Sequence, residues 1–187
     1  MHVSSIITSR DEDPAVLAAT LEGLRATTSH ISHEILIVDD ASRVSITATF
    51  APAHARVVRN AAPLGVCASR RLGASIATGD VLVWLDAHMS FGEGWLEQML
   101  LCADARSVVC SPFWTYDLKD CHCWGADFVW NNSRDYHAQR CPGFGLRHRT
   151  ATPSMAVEDV PMIIGACYMM RRDAYASLGG FSPHFRV

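Results

Sequence analysis

The chain has 187 residues, a formal net charge of −3 and 49% hydrophobic residues. The length fits one domain or at most two small ones, and the apolar share excludes wholesale disorder. Because there is no basic excess, no nucleic-acid partner is predicted. The longest apolar run, residues 160–170, is about half of the roughly 20 residues that a membrane-spanning helix requires, so no transmembrane segment is predicted.

Two further features bear on the compartment. The N-terminal segment reaches the charged residues 10–13 after only a short apolar stretch, which is not typical of a signal peptide. The seven cysteines are odd in number and lack the dense spacing of a small secreted scaffold, which favours reduced thiols. These features predict a cytoplasmic protein.

Short β-prone runs alternate with helical patterns over the first 110 residues. A strand at 3–9 is followed by a helix that begins at Asp13 and Pro14 and has leucines spaced to form one buried face. The pattern then predicts strands at 34–38, 56–59, 81–85 and 107–110, and helices at 65–78 and 94–103. Gly79 is placed to end the first of these helices. This alternation predicts an α/β fold, a mostly parallel sheet with helices on both faces.

The character of the sequence changes after Pro112. Residues 113–153 are rich in aromatic residues, Cys, His and Asn without a clean period, which predicts a long connection with partial structure. Residues 160–170 return to an apolar strand, expected to be antiparallel to the rest. A short helix at 173–178 follows, and the next two residues, Gly179 and Gly180, end it.

Polar residues follow three of the predicted strands directly, at 9–12, at 39–40 and at 86–88. Ligands of open α/β sheets bind at the carboxyl ends of the strands, so these clusters form one candidate site. The chain has neither a P-loop nor a G-x-G-x-x-G turn after its first strand, which argues against the common nucleotide folds.

The strongest single motif is Asp86-Ala87-His88. A carboxylate and an imidazole one residue apart at a strand end can face one ion, and this pair suits a divalent cation such as Mn²⁺. Such an ion can neutralise the charge of a departing nucleoside diphosphate. The alternative is that Asp86 caps the next segment and His88 is an ordinary surface histidine.

A rival metal site is the Cys121-His122-Cys123 cluster, which lies near Cys110, His137 and Cys141 in the sequence. Thiolate and imidazole ligands favour zinc, but the spacing lacks the two-to-four-residue loop between cysteines that structural zinc sites use. A fortuitous cysteine-rich loop explains the cluster more simply.

Six segments occur in an order that resembles one enzyme superfamily. They read SIITSRDE, EILIVDDAS, GVCASRRLGASIATGDVLVWLDAH, FGEGWLEQML, WGADFVW and PMIIGACYMMRRDAYASLGGFSP. The order resembles the GT-A glycosyltransferases of the family 2-like superfamily, and among them the polypeptide N-acetylgalactosaminyltransferases, which share the D-x-H metal motif. The resemblance implies a GT-A-like, Rossmann-related α/β fold. It also implies transfer of a sugar from a nucleotide sugar, UDP-linked in the matching enzymes, to a protein, glycan or lipid-linked acceptor.

The resemblance also implies roles for individual residues. It assigns a manganese site to Asp86 and His88, a donor or acceptor loop to Gly165, and nucleotide binding to Thr8, Glu12, Asp39, Asp40 and Arg70. Several of these roles have a plainer alternative. Asp39 and Asp40 can be solvated turn carboxylates, Arg70 a surface arginine that neutralises them, and Gly165 a strand bulge.

Several positions depart from the family pattern. Arg10 and Asp11 stand where His and Asn are usual, Pro63 and Leu64 replace a basic–acidic pair, and Ala166 replaces the second glycine of a Gly-Gly step. The donor therefore need not be UDP-N-acetylgalactosamine, and the acceptor need not be a polypeptide.

The resemblance predicts one GT-A-like domain over residues 1–187. Residues 1–112 would form the nucleotide-sugar-binding half and residues 113–187 the start of an acceptor-side half. The chain would end before the position where the family carries its general base. A non-catalytic nucleotide-sugar-binding domain or truncated fragment is the second hypothesis. A nucleotidyltransferase is the third, although the expected Gly-rich, basic first loop is missing.

Overall fold

The structure is a computed structural model that describes residues 1–49, 54–114, 121–123, 126–129, 145–148, 157–163 and 165–182. Five helices occur in the described residues: α1 (Pro14–Thr28), α2 (Ile46–Thr49), α3 (Val66–Ile76), α4 (Trp95–Cys102) and α5 (Arg172–Ser177). The main strands are β1 (Val3–Ser9), β2 (His33–Asp39), β3 (Arg56–Arg59), β4 (Val81–Leu85), β5 (Val109–Cys110) and β10 (Cys167–Arg171).

These six strands form one sheet in the order β3-β2-β1-β4-β10-β5. β1 pairs in parallel with β2 and β4, β2 pairs in parallel with β3, and β10 runs antiparallel to β4. The register places Ser9 beside Asp39 and Ile7 beside Leu85, so β1, β2 and β4 end at one edge of the sheet. The predicted α/β fold, with a mostly parallel sheet and one antiparallel element, is confirmed.

Helices cover both faces of this sheet. A Cβ built on Gly73 of α3 would lie 2.3 Å from Ile6 Cγ2, so α3 packs directly on the face that Ile6 shares with Trp84. On the opposite face, Cys167 Sγ lies 3.9 Å from Met99 Sδ of α4. α1 lies beside α4, because Trp95 Nε1 donates a hydrogen bond to Thr27 Oγ1 over 3.1 Å. The apolar strands are therefore buried from both sides.

The helix ends show why these residues become helical. Asp13 caps α1 by accepting a hydrogen bond from Ala15 N over 2.7 Å, and Pro14 occupies the first turn, as predicted. The predicted role of Gly79 is wrong, because α3 ends at Ile76 and Ala77 is its C-cap. Gly79 instead lies against β1, where its N–H donates to Ser4 Oγ over 2.7 Å.

The chain divides into two compact units. One contains Met1–Val109 together with the segment that begins at Ala166, and the other is Cys110–Gly165. In the second unit, β6 (Phe113–Trp114) pairs antiparallel with β7 (Cys121–Cys123), and β8 (Ala126–Val129) pairs antiparallel with β9 (Gly145–His148). Sequence patterning did not predict these strands or α2, because segments of two to four residues are too short to show a period.

The last apolar strand is shorter than predicted. Residues 160–170 form an apolar run, but the strand β10 covers only Cys167–Arg171.

Among the described residues, no helix combines the length and the apolar composition that a membrane crossing needs. Of the described cysteines, Cys67 and Cys102 are not in a disulfide, and the reduced state of the cysteines as a whole stays a prediction.

Gly79→Ala is expected to lower the free energy of unfolding by about 2–3 kcal/mol. The added Cβ would lie 2.6 Å from Ser4 N and 2.8 Å from the carbonyl carbon of Val3, and this backbone belongs to a central strand that cannot move aside. Urea denaturation measures the loss. Gly92→Ala is the matched control, because nothing lies within 4 Å of its Cβ position, and we expect a change within about 0.5 kcal/mol. Equal losses for the two variants would contradict this packing argument.

Candidate functional site

Asp86 is the first residue after β4, and the structure holds it from two sides. Its backbone N–H donates over 2.9 Å to the carbonyl of Ala166, the residue before the antiparallel strand β10, and this bond holds the start of the loop. Its Oδ1 accepts a hydrogen bond from Arg70 Nη2 over 3.0 Å. The Arg70 side chain is only 12% exposed, whereas that of Asp86 is 33% exposed. The carboxylate therefore stays partly open to solvent and to a ligand.

Burial raises the pKa of the Asp86 carboxyl above its ordinary value. The positive charge of Arg70 opposes this increase, a protonated His88 would oppose it as well, and the negative charge at Glu12 adds to it. Asp86 therefore lies within electrostatic reach of Arg70, His88 and Glu12. A divalent cation near Asp86 would favour the ionised carboxylate that metal binding requires.

His88, two residues later, contacts the loop between β1 and α1. Its Nδ1 lies 3.0 Å from Glu12 Oε2, and its side chain is 55% exposed. Nε2 is the ring nitrogen that this contact does not use. The structure thus brings together Glu12, Arg70, Asp86 and His88, which the sequence distributes over three separate segments.

Asp39 ends β2 and is completely buried. Its carboxylate accepts hydrogen bonds from Ser42 N over 2.9 Å, from Ile46 N over 3.4 Å and from Arg59 Nη1 over 2.5 Å. Burial alone would raise the pKa of this carboxyl, but the hydrogen bonds outweigh burial and lower the pKa. Asp39 therefore shapes the loop after β2. Its direct contact with a nucleoside stays a prediction.

Asp40 holds a different loop. Its Oδ1 accepts from Asn60 Nδ2 over 2.7 Å and from Leu64 N over 2.8 Å, and its Oδ2 accepts from Gly65 N over 2.9 Å. Gly65 is the N-cap of α3 and offers no side chain for capping, so Asp40 supplies an acceptor to this helix start. These hydrogen bonds outweigh the effect of burial and lower the pKa of Asp40. A nucleoside-binding role for Asp40 also stays a prediction.

Arg70 lies on an aromatic platform that the sequence did not reveal. Its guanidinium carbon is 5.4 Å from the centre of the Tyr168 ring, and its backbone carbonyl accepts from Trp84 Nε1 over 3.4 Å. Tyr168 in turn stacks on Trp84 with ring centres 5.2 Å apart. This platform presents Arg70 to Asp86.

The two remaining predicted residues lie in different units. Thr8 is near the end of β1. Because side chains alternate along a strand, Thr8 is on the same face of the sheet as Ile6, which is the face covered by α3. Gly165 is exposed and belongs to the second unit.

Two residues at the end of β3, which the sequence analysis did not predict, bind the aspartates of the candidate site. Arg59 ends that strand and binds Asp39, and Asn60 follows it and binds Asp40. The rule that selected the ends of β1, β2 and β4 also applies to the end of β3, so this signal was available in the sequence.

Asp86 and His88 are two candidate metal ligands at the carboxyl end of β4. In the part of the chain that the structure describes, no group of three His, Cys, Asp or Glu side chains is arranged to hold a metal ion. Asp86 and His88 would supply one carboxylate and one imidazole, donor types that suit a divalent cation such as Mn²⁺. Of the rival zinc cluster, residues 121–123 form strand β7, and His137 and Cys141 lie outside the described residues.

A mostly parallel α/β sheet with acidic, basic and imidazole side chains at the carboxyl ends of its strands has the usual place of a ligand-binding site in an open α/β fold. The model of the family "Glycosyl transferase family 2" matches residues 4–179, and the chain belongs to this family. It is similar to polypeptide N-acetylgalactosaminyltransferase 8 of Drosophila melanogaster, with 25% identity over 205 residues that cover 99% of this chain and 32% of the relative. It is also similar to inactive polypeptide N-acetylgalactosaminyltransferase-like protein 5 of Mus musculus, with 25% identity over 191 residues that cover 91% and 42%.

A solved structure shares the fold. It is a mannosyltransferase from Pyrobaculum calidifontis in complex with GDP-Man and Mn²⁺, with a TM-score of 0.62 and 16% identity. The match covers 98% of this chain and 48% of the mannosyltransferase, which confirms the GT-A-like fold. The chain spans about a third of the Drosophila relative and less than half of the other two proteins.

Proposed function

We propose that the chain binds a UDP-linked sugar together with a divalent cation and transfers the sugar to an acceptor. The observation that carries this proposal is the convergence of Asp86, His88 and Arg70 at the edge where β1, β2 and β4 end. The name of the Drosophila relative supports sugar transfer. The GDP-Man and Mn²⁺ bound to the structural neighbour support a nucleotide sugar and a divalent cation.

Asp86 and His88 would hold the cation, through a carboxylate oxygen and Nε2. Once bound, a divalent cation would neutralise charge on the diphosphate leaving group. Arg70, fixed on Tyr168 beside Asp86, adds a second positive charge at the same place. Thr8, Asp39 and Asp40 would line the nucleoside side, with the two aspartates also fixing the loops around it.

The donor sugar and the acceptor are left open by the sequence. We do not assign the relatives' substrates to this chain, because Pro63 and Leu64 replace the family's basic–acidic pair immediately before Gly65, the N-cap of α3.

A non-catalytic nucleotide-sugar-binding domain is the second candidate. One relative of similar identity is named as inactive, and this observation supports that candidate. The predicted cytoplasmic location stays a prediction.

Calorimetric titration of UDP with and without Mn²⁺ tests the binding proposal. We expect Mn²⁺ to strengthen UDP binding by about 10-fold or more, and His88→Ala to abolish this increment, because the cation bridges the protein and the diphosphate. Titration of GDP in place of UDP tests whether the site prefers uracil as the base of the nucleotide. UDP affinity that does not respond to Mn²⁺ would contradict the metal site.

Hydrolysis or transfer of UDP-sugars, followed by release of UDP, separates the two candidates. Turnover with a UDP-sugar supports the transferase. Metal-dependent UDP binding without turnover for a panel of UDP-sugars and acceptors supports the binding domain instead.

A further inference from the structure

The contact between Glu12 and His88 joins two loops that lie 76 residues apart in sequence. Glu12 Oε2 and His88 Nδ1 are 3.0 Å apart, the Glu12 side chain is 24% exposed, and the pair lies beside Asp86. The resemblance assigned Glu12 to the nucleotide. The structure gives its carboxylate a different neighbour.

This contact favours one tautomer of the imidazole when the Glu12 carboxylate is ionised. An ionised carboxylate only accepts hydrogen bonds, so Nδ1 must carry the proton of the pair. In a neutral imidazole with Nδ1 protonated, Nε2 has the lone pair and can coordinate a metal. Histidines that bind metals usually donate their other N–H to a carboxylate or carbonyl in this way.

The backbone around Glu12 is held on both sides. Asp11 has a φ of 54°, in the left-handed region that aspartate tolerates better than most residues. Its N–H donates to Ser42 Oγ over 2.9 Å, and its Oδ1 accepts from Arg43 N over 2.7 Å. On the other side, Asp13 caps α1. Glu12 therefore lies between Asp11, which hydrogen-bonds to the loop after β2, and Asp13, which is the N-cap of α1. Because both neighbours are held in place, the directions available to the Glu12 carboxylate are limited.

We propose that Glu12 is a positioning residue that fixes the Nδ1–H tautomer and the ring orientation of His88, so that Nε2 faces the cation. The inference rests on the proposed function, because it assumes that His88 binds a metal. Glu12 then acts through His88 and makes no contact of its own with the nucleotide. The clamp of Asp11 to Ser42 and Arg43 keeps Glu12 in reach of the ring.

The tautomer of His88 can be determined by NMR on the chain without any bound ligand. The full chain, labelled with ¹⁵N in its histidines, is studied by NMR at a pH well above the ordinary histidine pKa of about 6.5, and His88→Gln assigns the signal. We expect the Nδ1–H tautomer in the wild-type chain and a shift towards the Nε2–H form in Glu12→Ala. Glu22→Gln is the control, because Glu22 is an exposed residue of α1, and it should leave the signal unchanged. An Nε2–H form in the wild-type chain, or an Nδ1–H form that persists in Glu12→Ala, would overturn the proposal.

Metal and nucleotide affinities provide the second readout. Glu12→Ala should weaken Mn²⁺ binding, measured by electron paramagnetic resonance with Mn²⁺ alone, by about 10–100-fold. Its affinity for UDP without metal should stay unchanged, and a loss there would overturn the proposal by making Glu12 a nucleotide ligand. Unchanged Mn²⁺ affinity would also overturn it. A wild-type chain with the Nδ1–H tautomer and no Mn²⁺ binding would instead contradict the proposed function while supporting the pairing of Glu12 with His88.

Discussion

Asp86→Asn is expected to remove the increase in UDP affinity that Mn²⁺ provides, a loss of about 10-fold or more, since the proposed metal ligand should matter at least as much as its supporting partners. The amide keeps an oxygen that can accept from Arg70, but it has no negative charge for the cation. Calorimetric titration of UDP at saturating Mn²⁺ measures the change. The UDP affinity without metal should stay close to that of the wild-type chain.

Asp86→Asn is not expected to unfold the chain. Burial already disfavours the ionised carboxyl, as its raised pKa shows, so removal of the charge offsets the weaker bond to Arg70. Glu93→Gln is a suitable control, because it removes a negative charge from an exposed position of the loop after β4. Equal UDP affinities at saturating Mn²⁺ for Asp86→Asn and Glu93→Gln would show that Asp86 does not hold the metal.

Trp84→Ala is expected to lower the free energy of unfolding by about 3–5 kcal/mol. Trp84 is completely buried in β4 and contacts three aromatic rings, those of Tyr168, Tyr175 and Phe181, with ring centres 5.1–5.2 Å away. Its removal leaves a cavity that the surrounding sheet cannot close. Urea denaturation, with a check that the slope against urea concentration is unchanged, measures the loss.

Trp84 also supports Tyr168, on which Arg70 lies, so the same variant should weaken UDP binding. Trp84→Phe, which keeps an aromatic ring in place, should lose less in both measurements. Trp95→Ala is the control, because Trp95 is only partly buried in α4, and we expect a loss of about 1–2 kcal/mol. Similar losses for Trp84→Ala and Trp95→Ala would show that the aromatic cluster is not a central part of the core.

Most strands and helices of the first unit could be predicted because they show their own pattern, whereas the four-residue helix α2 was too short to do so. The predicted strands at 56–59 and 81–85 have the observed bounds, and the strand predicted at 34–38 extends by one residue at each end. The four short strands of the second unit were missed for the opposite reason. Their pairing depends on partners elsewhere in the chain and leaves little local signal.

The sequence predicted which residues belong to the candidate site better than it predicted the contacts between them. The strand-end rule identified Asp86 and His88, but it could not tell that Arg70 binds Asp86 or that Glu12 contacts His88. Tyr168 was missed because its importance arises from the antiparallel register that places it beside Trp84. Such a register is set by packing across the sheet and is not visible in either strand alone.

The amino-acid sequence by itself determined the alternation of strands and helices, and with it the α/β fold and the edge where polar residues collect. Local hydrophobic period and capping residues are sufficient for this, because they act over a few residues. Only the tertiary structure decided what each polar side chain contacts. It placed Asp39 and Asp40 as acceptors for loop backbone, Arg70 on Tyr168 and Glu12 on His88. Those pairings depend on strand order and register, which bring together side chains that the sequence keeps up to 98 residues apart.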